Sequence, residues 1–221
     1  MIEELQDSFL GQRLKMVASQ LVRRGIRDER VLAAMERVPR HEFIDPRLRD
    51  HAYDDEPVSI GEGQTISQPF VVAYMLETLR VEPDNRVLEI GTGTGYQAAL
   101  LADLAREVIT IERHRALSDL ARQNLERLGY HNVTVIEGDG SQGWLRRAPY
   151  DRIIVAAAAP NVPASLLDQL AEGGRLVAPI GSPEAQDTTL VQKRDGRFKM
   201  KTLDGCRFVP LIGAEGFTPR S

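Results

Sequence analysis

Apolar residues recur at helical spacing through the first third of the chain. After Pro83-Asp84 they switch to short apolar runs separated by amphipathic stretches. Leu5, Phe9, Met16 and Leu21 mark one helix over residues 3–24, which Arg23, Arg24 and then Gly25 bring to a C-terminus. Asp28 can cap a second helix running to Arg37 and stopped by Pro39. Residues 41–63 carry no strong period, and Pro46, Pro57, Gly61 and Gly63 predict a loop-rich cover. Pro69 then opens a helix with a stripe of Phe70, Val71, Tyr74, Met75 and Leu79. Beyond residue 83, strands at 86–90, 107–111, 132–136, 151–157 and 175–180 alternate with helices at 95–105, 114–128 and 163–171.

That alternation predicts an α/β fold, a mostly parallel central sheet with helices on both faces. The β-rich runs at 188–194 and 198–203 flank Asp195-Gly196, a hairpin signal, so the sheet is expected to end in antiparallel strands. Residues 1–82 are read as an N-terminal helical extension and active-site cover. Residues 83–221 are read as the α/β core with its C-terminal hairpin, the whole forming one compact domain. No repeat or low-complexity tract interrupts it.

The most specific short stretch is Val87-Leu88-Glu89-Ile90-Gly91-Thr92-Gly93-Thr94-Gly95-Tyr96-Gln97, a strand, a turn with alternating glycines and a helix start. Glycine tolerates positive φ and lets backbone approach a ligand at a strand's carboxyl end, so Gly91, Thr92, Gly93 and Gly95 are expected against a nucleotide cofactor. A dinucleotide fingerprint wants its third glycine one residue later. Glu89, just before the loop, would repel a phosphate and attract a cation. S-adenosyl-L-methionine suits both facts, having no phosphate and carrying a sulfonium and an ammonium. A glycine loop alone is weak, since a tight turn uses the same residues. Support comes from Glu112, an acidic strand end about 20 positions on, where a carboxylate accepts ribose hydroxyls. Gly138-Asp139-Gly140 follows the next strand and offers a carboxylate for an adenine amino group, though Asp-Gly is also an ordinary turn.

Composition narrows the class. The chain has 221 residues, 42% hydrophobic and 27% charged, as in an ordinary globular protein. A formal charge of -4, with scattered Lys and Arg, argues against a nucleic-acid substrate. The single Cys206 excludes an intramolecular disulfide, and the start lacks signal-peptide character, so a cytoplasmic location is expected. No apolar run reaches membrane-span length. His41, His51, His114 and His131 lack metal-ligand spacing, so no metal is expected.

The acceptor is read from two segments. In the polar stretch 61–69, Ser67 is either a helix cap or, with Thr65 and Gln68, a hydrogen-bonding group facing the cofactor rim. Residues 156–159 are alanines, where an amino-group methylase of bases usually carries an Asn or Asp followed by Pro-Pro and an aromatic. A wall without a base suits an acceptor that needs no deprotonation, and a carboxylate with a pKa of about 4 is one. Methyl transfer to it requires alignment rather than proton removal.

These residues resemble the protein-L-isoaspartate O-methyltransferase family along nearly the whole chain. The likeness runs through residues 31–43, the signature-like stretch 63–69, residues 87–97, Thr110-Ile111-Glu112-Arg113, Gly138-Asp139-Gly140, residues 150–160, 173–181 and 208–213, and an ending near Phe217 similar to bacterial members. Family members often carry Thr where Ala156 stands. The resemblance implies a Rossmann-like S-adenosylmethionine-dependent fold with an unusual strand order at the sheet's end. It also implies repair, by methylation of the free α-carboxylate of L-isoaspartyl residues. The ester then collapses to a succinimide that can reopen as aspartate. By position it implies Ser67 as the active-site serine, Glu89, Gly91, Gly93, Glu112, Asp139 and Gly140 at the cofactor, and Val209 at the substrate backbone. Isoaspartyl peptides and damaged proteins are the implied partners of an expected monomer. Two other readings share the cradle: a methyltransferase for tRNA or a small molecule, and a non-catalytic S-adenosylmethionine sensor. The acidic balance and missing base-gripping motif oppose the first, and the hydroxyls of residues 65–69 oppose the second.

Overall fold

The computed structural model describes residues 2–218, and the side chains of residues 2–8, Leu5 among them, lie outside what is described. The first helix, α1 (Ile2–Met16), continues into a π turn at Val17–Leu21 and a 3-10 turn at Val22–Arg24, ending at Gly25 with φ 102°. The expected helix 3–24 is thus one helical run of changing pitch. Ser19 Oγ donates to the Lys15 carbonyl (2.6 Å), and the widened turn buries both Val17 and Leu21. Helix α2 (Glu29–Arg37) starts where Asp28 accepts from the Arg30 and Val31 amides. It turns Val31, Ala34 and Met35 inward.

Residues 41–63 are more ordered than expected. Two 3-10 turns, Arg40–Phe43 and Pro46–His51, lead into strands β1 (Val58–Gly61) and β2 (Gln64–Ile66). These pair antiparallel around Glu62 and Gly63, both at positive φ. Strands this short show no alternation a sequence reading can register. The fully buried Arg40 ties the region down, donating from Nε to the Ala52 carbonyl (2.7 Å) with its guanidinium 5.1 Å from the Tyr96 ring. Helix α3 (Pro69–Leu79) is capped by Gln68 without a side-chain bond, so Ser67 is not its cap. Proline at the first helical position has no N–H to satisfy and brings a preset φ. The buried face of α3 is Val72, Met75, Leu76 and Leu79. Phe70, Val71 and Tyr74 are only partly covered; Phe70 and Tyr74 stack on each other and Arg24 lies 3.5 Å over Phe70.

The remaining strands form one seven-stranded sheet: β3 (Arg86–Ile90), β4 (Glu107–Glu112), β5 (Val133–Glu137), β6 (Tyr150–Val155), β7 (Leu170–Gly181), β8 (Gln186–Arg194) and β9 (Arg197–Cys206), in the order β5-β4-β3-β6-β7-β8-β9. The first five in that order are parallel and the last two pairings antiparallel. At the end for which the resemblance implies an unusual order, the strands are consecutive, β7-β8-β9. Helices α4 (Tyr96–Leu104), α5 (Arg115–Arg127) and α6 (Ala164–Asp168) complete the core. Helix α6 is shorter than the expected 163–171. Leu170 already pairs with Tyr150, and β7 reaches the expected strand through a register shift beside Gly173, at φ 75°. Strand β6 ends at Val155, and the alanines beyond it bridge Ala158 to Pro210 and Ala159 to Ile180 of β7.

Successive strand residues point to opposite faces. Val87, Val108, Ile154 and Val177 join α1 to α4 in one apolar cluster, while Leu88, Ile109, Ile153 and Leu176 build the other. The chain leaves β3 for β4 and β5 on one side, then crosses to β6 and β7 on the other. This makes the carboxyl end of β3 the switch point where α/β sheets hold ligands.

Candidate active site

A cleft of about 840 Å³, counting its open mouth, lies over that switch point. It is bounded by the β3–α4 loop, the ends of β4 and β6, Gly140, the β1–β2 hairpin and residues 209–212.

The glycine loop stands as the sequence predicts, with one difference. Gly91 and Gly93 line the cleft at φ 91° and 56°. A Cβ on Gly93 would stand 3.1 Å from Ile60 Cδ1, so the hairpin closes directly onto the loop. Gly95 caps α4 away from the cleft and packs against Leu125. Thr92 lines the cleft, its hydroxyl 2.6 Å from that of Thr110. Glu112 ends β4 with one oxygen accepting from Gly93 N–H and the other from His114 N–H, both at 2.9 Å. His114 in turn lies 3.5 Å from Glu62 at the hairpin tip.

Glu89 departs from expectation. It shares a sheet face with Thr110, its register partner, and not with the cleft-lining Ile90. It is fully buried and accepts from Thr110 Oγ1 at 2.6 Å. Burial pushes its pKa up to about 8, against Thr110 and Gln97, which lower it, and with Glu112 adding to the rise. Glu89 Oε1 and Gln97 Nε2 make no well-formed hydrogen bond. The group expected to repel phosphate therefore sits under the loop, largely neutral at pH 7.

Asp139 also departs. It accepts from Ser141 N–H (2.9 Å), Ser141 Oγ (2.7 Å), Ala214 N–H (2.7 Å) and Gln142 Nε2 (3.2 Å). Burial raises its pKa, but these bonds outweigh it and the net shift is downward. A carboxylate offers about four lone-pair sites, so an adenine amino group could bind only by displacing one of these donors. Gly140, by contrast, lines the cleft, and a Cβ there would collide with Ile90 Cγ2.

On the opposite wall, Thr65 and Ser67 line the cleft from β2 and the residues after it. Among the described residues, the Ser67 hydroxyl has no protein partner. Gln68 is not brought to the cleft, because its amide donates to the Asp55 carbonyl at 2.9 Å. Val209 lines the cleft and gives its carbonyl to Ala158 N–H at 2.8 Å. Sequence reasoning missed Ile60, Gln64, His114, Leu211 and Ile212. Only His114, two residues past the acidic strand end, left a readable signal. Among the described residues one grouping has metal-ligand geometry, His51, Asp54 and Glu56, all exposed and outside the cleft.

Residues 12–216 match the family model described as Protein-L-isoaspartate(D-aspartate) O-methyltransferase. A protein-L-isoaspartate O-methyltransferase of Koribacter versatilis is 56% identical over 211 residues, spanning 96% of this chain and 95% of its own length. One of Methanoculleus marisnigri is 54% identical, covering 96% of each chain. A solved structure named protein-L-isoaspartate O-methyltransferase superimposes with a TM-score of 0.82 at 33% identity, covering 92% of this chain and 67% of that one. A solved Plasmodium falciparum structure of the same description, in complex with S-adenosyl-L-homocysteine, gives 0.79 at 29% identity, covering 90% of this chain and 98% of its own. The chain belongs to the protein-L-isoaspartate(D-aspartate) O-methyltransferase family.

Proposed function

We propose that this chain repairs damaged proteins by moving a methyl group from S-adenosyl-L-methionine to the free α-carboxylate of L-isoaspartyl residues. The observation that carries the reading is the cleft itself. It joins a glycine rim and the Glu112 carboxylate to the unbonded Ser67 hydroxyl, while the small Ala156 and Ala157 form the wall beside them. The residues suit the methyl donor: Gly91 and Gly93 leave backbone open to it, and the Glu112 carboxylate, fixed by two backbone amides, lines the cleft where it can accept ribose hydroxyls. When bound, S-adenosyl-L-methionine supplies an electrophilic methyl on its sulfonium.

The chain's own work is alignment. Ser67 Oγ donates to one oxygen of the acceptor carboxylate and aims the other, with Thr65 beside it. Val209 N–H, which has no protein acceptor among the described residues, meets the peptide backbone. An oxygen–methyl bond forms as the carbon–sulfur bond breaks, giving a methyl ester and S-adenosyl-L-homocysteine, with no proton moved. The following backbone nitrogen then expels methanol, and the succinimide hydrolyses to aspartate or isoaspartate. Closing the hairpin over the rim removes water, which would otherwise stabilise the separated anion and cation more than the transition state.

The donor sites in this reading are Gly91, Thr92, Gly93, Glu112 and Gly140, with Glu89 and Gly95 shaping the loop from behind. The protein acts as a cytoplasmic monomer, built as a helical cover over residues 1–82 packed into one unit with the α/β core. Supporting this are the lone, half-buried Cys206, the acidic balance and the absence, among the described residues, of a helix long and apolar enough to cross a membrane. Incubation with radiolabelled S-adenosyl-L-methionine and matched isoaspartyl and aspartyl peptides tests the function. Label on the isoaspartyl peptide alone supports it, and label only on tRNA or a small molecule refutes it.

A further inference from the structure

The acceptor wall, residues 209–212, belongs to no strand of the sheet. Without a ladder, its position depends on what holds its two ends. At one end Ala158 N–H donates to the Val209 carbonyl (2.8 Å) and Leu211 N–H to the Ala158 carbonyl (2.7 Å). At the other the chain folds back, Phe217 N–H reaching the Leu211 carbonyl at 2.7 Å and Gly216 N–H the Gly213 carbonyl at 3.1 Å. The tip of this turn docks on two elements of the rim. Ala214 N–H donates to Asp139 and Glu215 N–H to Ser141 Oγ (3.0 Å), while the Glu215 carboxylate accepts from Ser165 N–H (3.0 Å) and Ser165 Oγ. Only glycine fits at 213, where a Cβ would collide with the Asp139 carboxylate.

We propose that Glu215 is a positioning residue for the acceptor: by tying the tip of the C-terminal turn to Ser165, it holds residues 209–212 where a peptide backbone can pair with them. Glu215 does not line the cleft and acts through Val209 and its neighbours. Without the Glu215 carboxylate the tip keeps its backbone bonds to Asp139 and Ser141 but loses its tie to Ser165, so the wall is held less firmly and must be ordered further each time a peptide binds, which weakens peptide binding without touching the cofactor rim. The inference rests on the isoaspartyl-acceptor reading.

The test compares wild type with Glu215→Ala, Glu215→Gln and Ser165→Ala. It measures KM and kcat for an isoaspartyl hexapeptide, the Kd of S-adenosyl-L-homocysteine by calorimetry, and thermal melts. Glu215→Ala is expected to raise peptide KM by about tenfold or more while kcat at saturation and the Kd of S-adenosyl-L-homocysteine stay within about threefold, the pattern of lost ground-state binding. Glu215→Gln, whose amide oxygen still accepts from Ser165 N–H, is expected to recover part of that loss, and Ser165→Ala to fall between. A folded Glu215→Ala with wild-type KM, or with S-adenosyl-L-homocysteine affinity falling in step with the rise in KM, overturns the proposal. If Glu215→Ala does not fold, Ser165→Ala carries the test with its smaller expected rise in KM, and an unchanged KM there overturns the proposal. A wild type that binds S-adenosyl-L-homocysteine yet leaves isoaspartyl peptides unmethylated overturns the acceptor reading itself, before any variant is compared.

Discussion

Glu112 and Glu89 are two strand-end carboxylates read from the same pattern, yet they do different work. Glu112 faces the cleft and receives two backbone amides, so its loss removes both a ribose acceptor and a clamp on the loop. Glu112→Ala is expected to weaken S-adenosyl-L-homocysteine binding by roughly 1.5 to 3 kcal/mol, the range for hydrogen bonds to a charged group. Calorimetry reads that as a fall of about 10- to 150-fold in affinity. Glu89 lies on the other face and holds its proton to about pH 8 instead of 4.5. Because the folded state then binds more protons than the unfolded chain, wild-type stability falls as pH rises from 4.5 through 8. Glu89→Gln, permanently neutral, is expected to lose this slope. Denaturant midpoints at pH 6 and pH 9 check it, and parallel pH profiles would refute the buried neutral carboxyl. Ser67, freed from capping duty, is expected to tolerate Ala with little change in melting temperature but a large fall in single-turnover rate. Unchanged turnover would remove it from the reaction. The acidic strand ends were readable one by one. Which face each carboxylate takes was not, because sheet register and the Thr110 pairing decide it.

At the scale of elements, the parallel strands and their helices were legible because each apolar run is long enough to show its period. The β1–β2 hairpin was not. Its strands span 4 and 3 residues, and only the Glu62-Gly63 turn marks it. Helix α6 was overextended because the apolar run through Leu170 belongs to a bulged strand. The hairpin matters most for the site, since Ile60 presses on the space a Gly93 Cβ would fill. Gly93→Ala therefore meets both a positive φ, costing about 1 to 2 kcal/mol for a residue with a Cβ, and the hairpin. The variant is expected to melt lower and bind S-adenosyl-L-homocysteine more weakly, and Ile60→Ala is expected to restore part of that binding by making room. Calorimetry on the single and double variants checks this, and additive losses would deny the contact.

Across the whole molecule, the sheet's switch point brings together residues from distant parts of the chain: a rim from residues 91–114, a hairpin from 58–66 and a wall from 209–212. The sequence brought Gly91, Thr92, Gly93, Glu112 and Gly140 to the rim, because its loops follow strands in regular order, but not Glu89, Gly95 or Asp139. The wall's attachment to Ala158, and the commitment of Asp139 to the C-terminal turn, arise only when those segments meet in space. Beside Ser67 that assembly sets Thr65 and the small Ala156 and Ala157, with His114 on the rim past Glu112, and the central claim is that the acceptor is a carboxylate already ionised at neutral pH. The most direct measurement is methylation of an isoaspartyl peptide and its matched aspartyl peptide across pH 6 to 8, with the product then held at mildly alkaline pH. The predicted result is label on the isoaspartyl peptide at a rate nearly flat with pH, released as methanol by mild alkali, and little label on the aspartyl peptide. Equal labelling of both peptides, an alkali-stable methyl group, or a rate climbing tenfold per pH unit would contradict it.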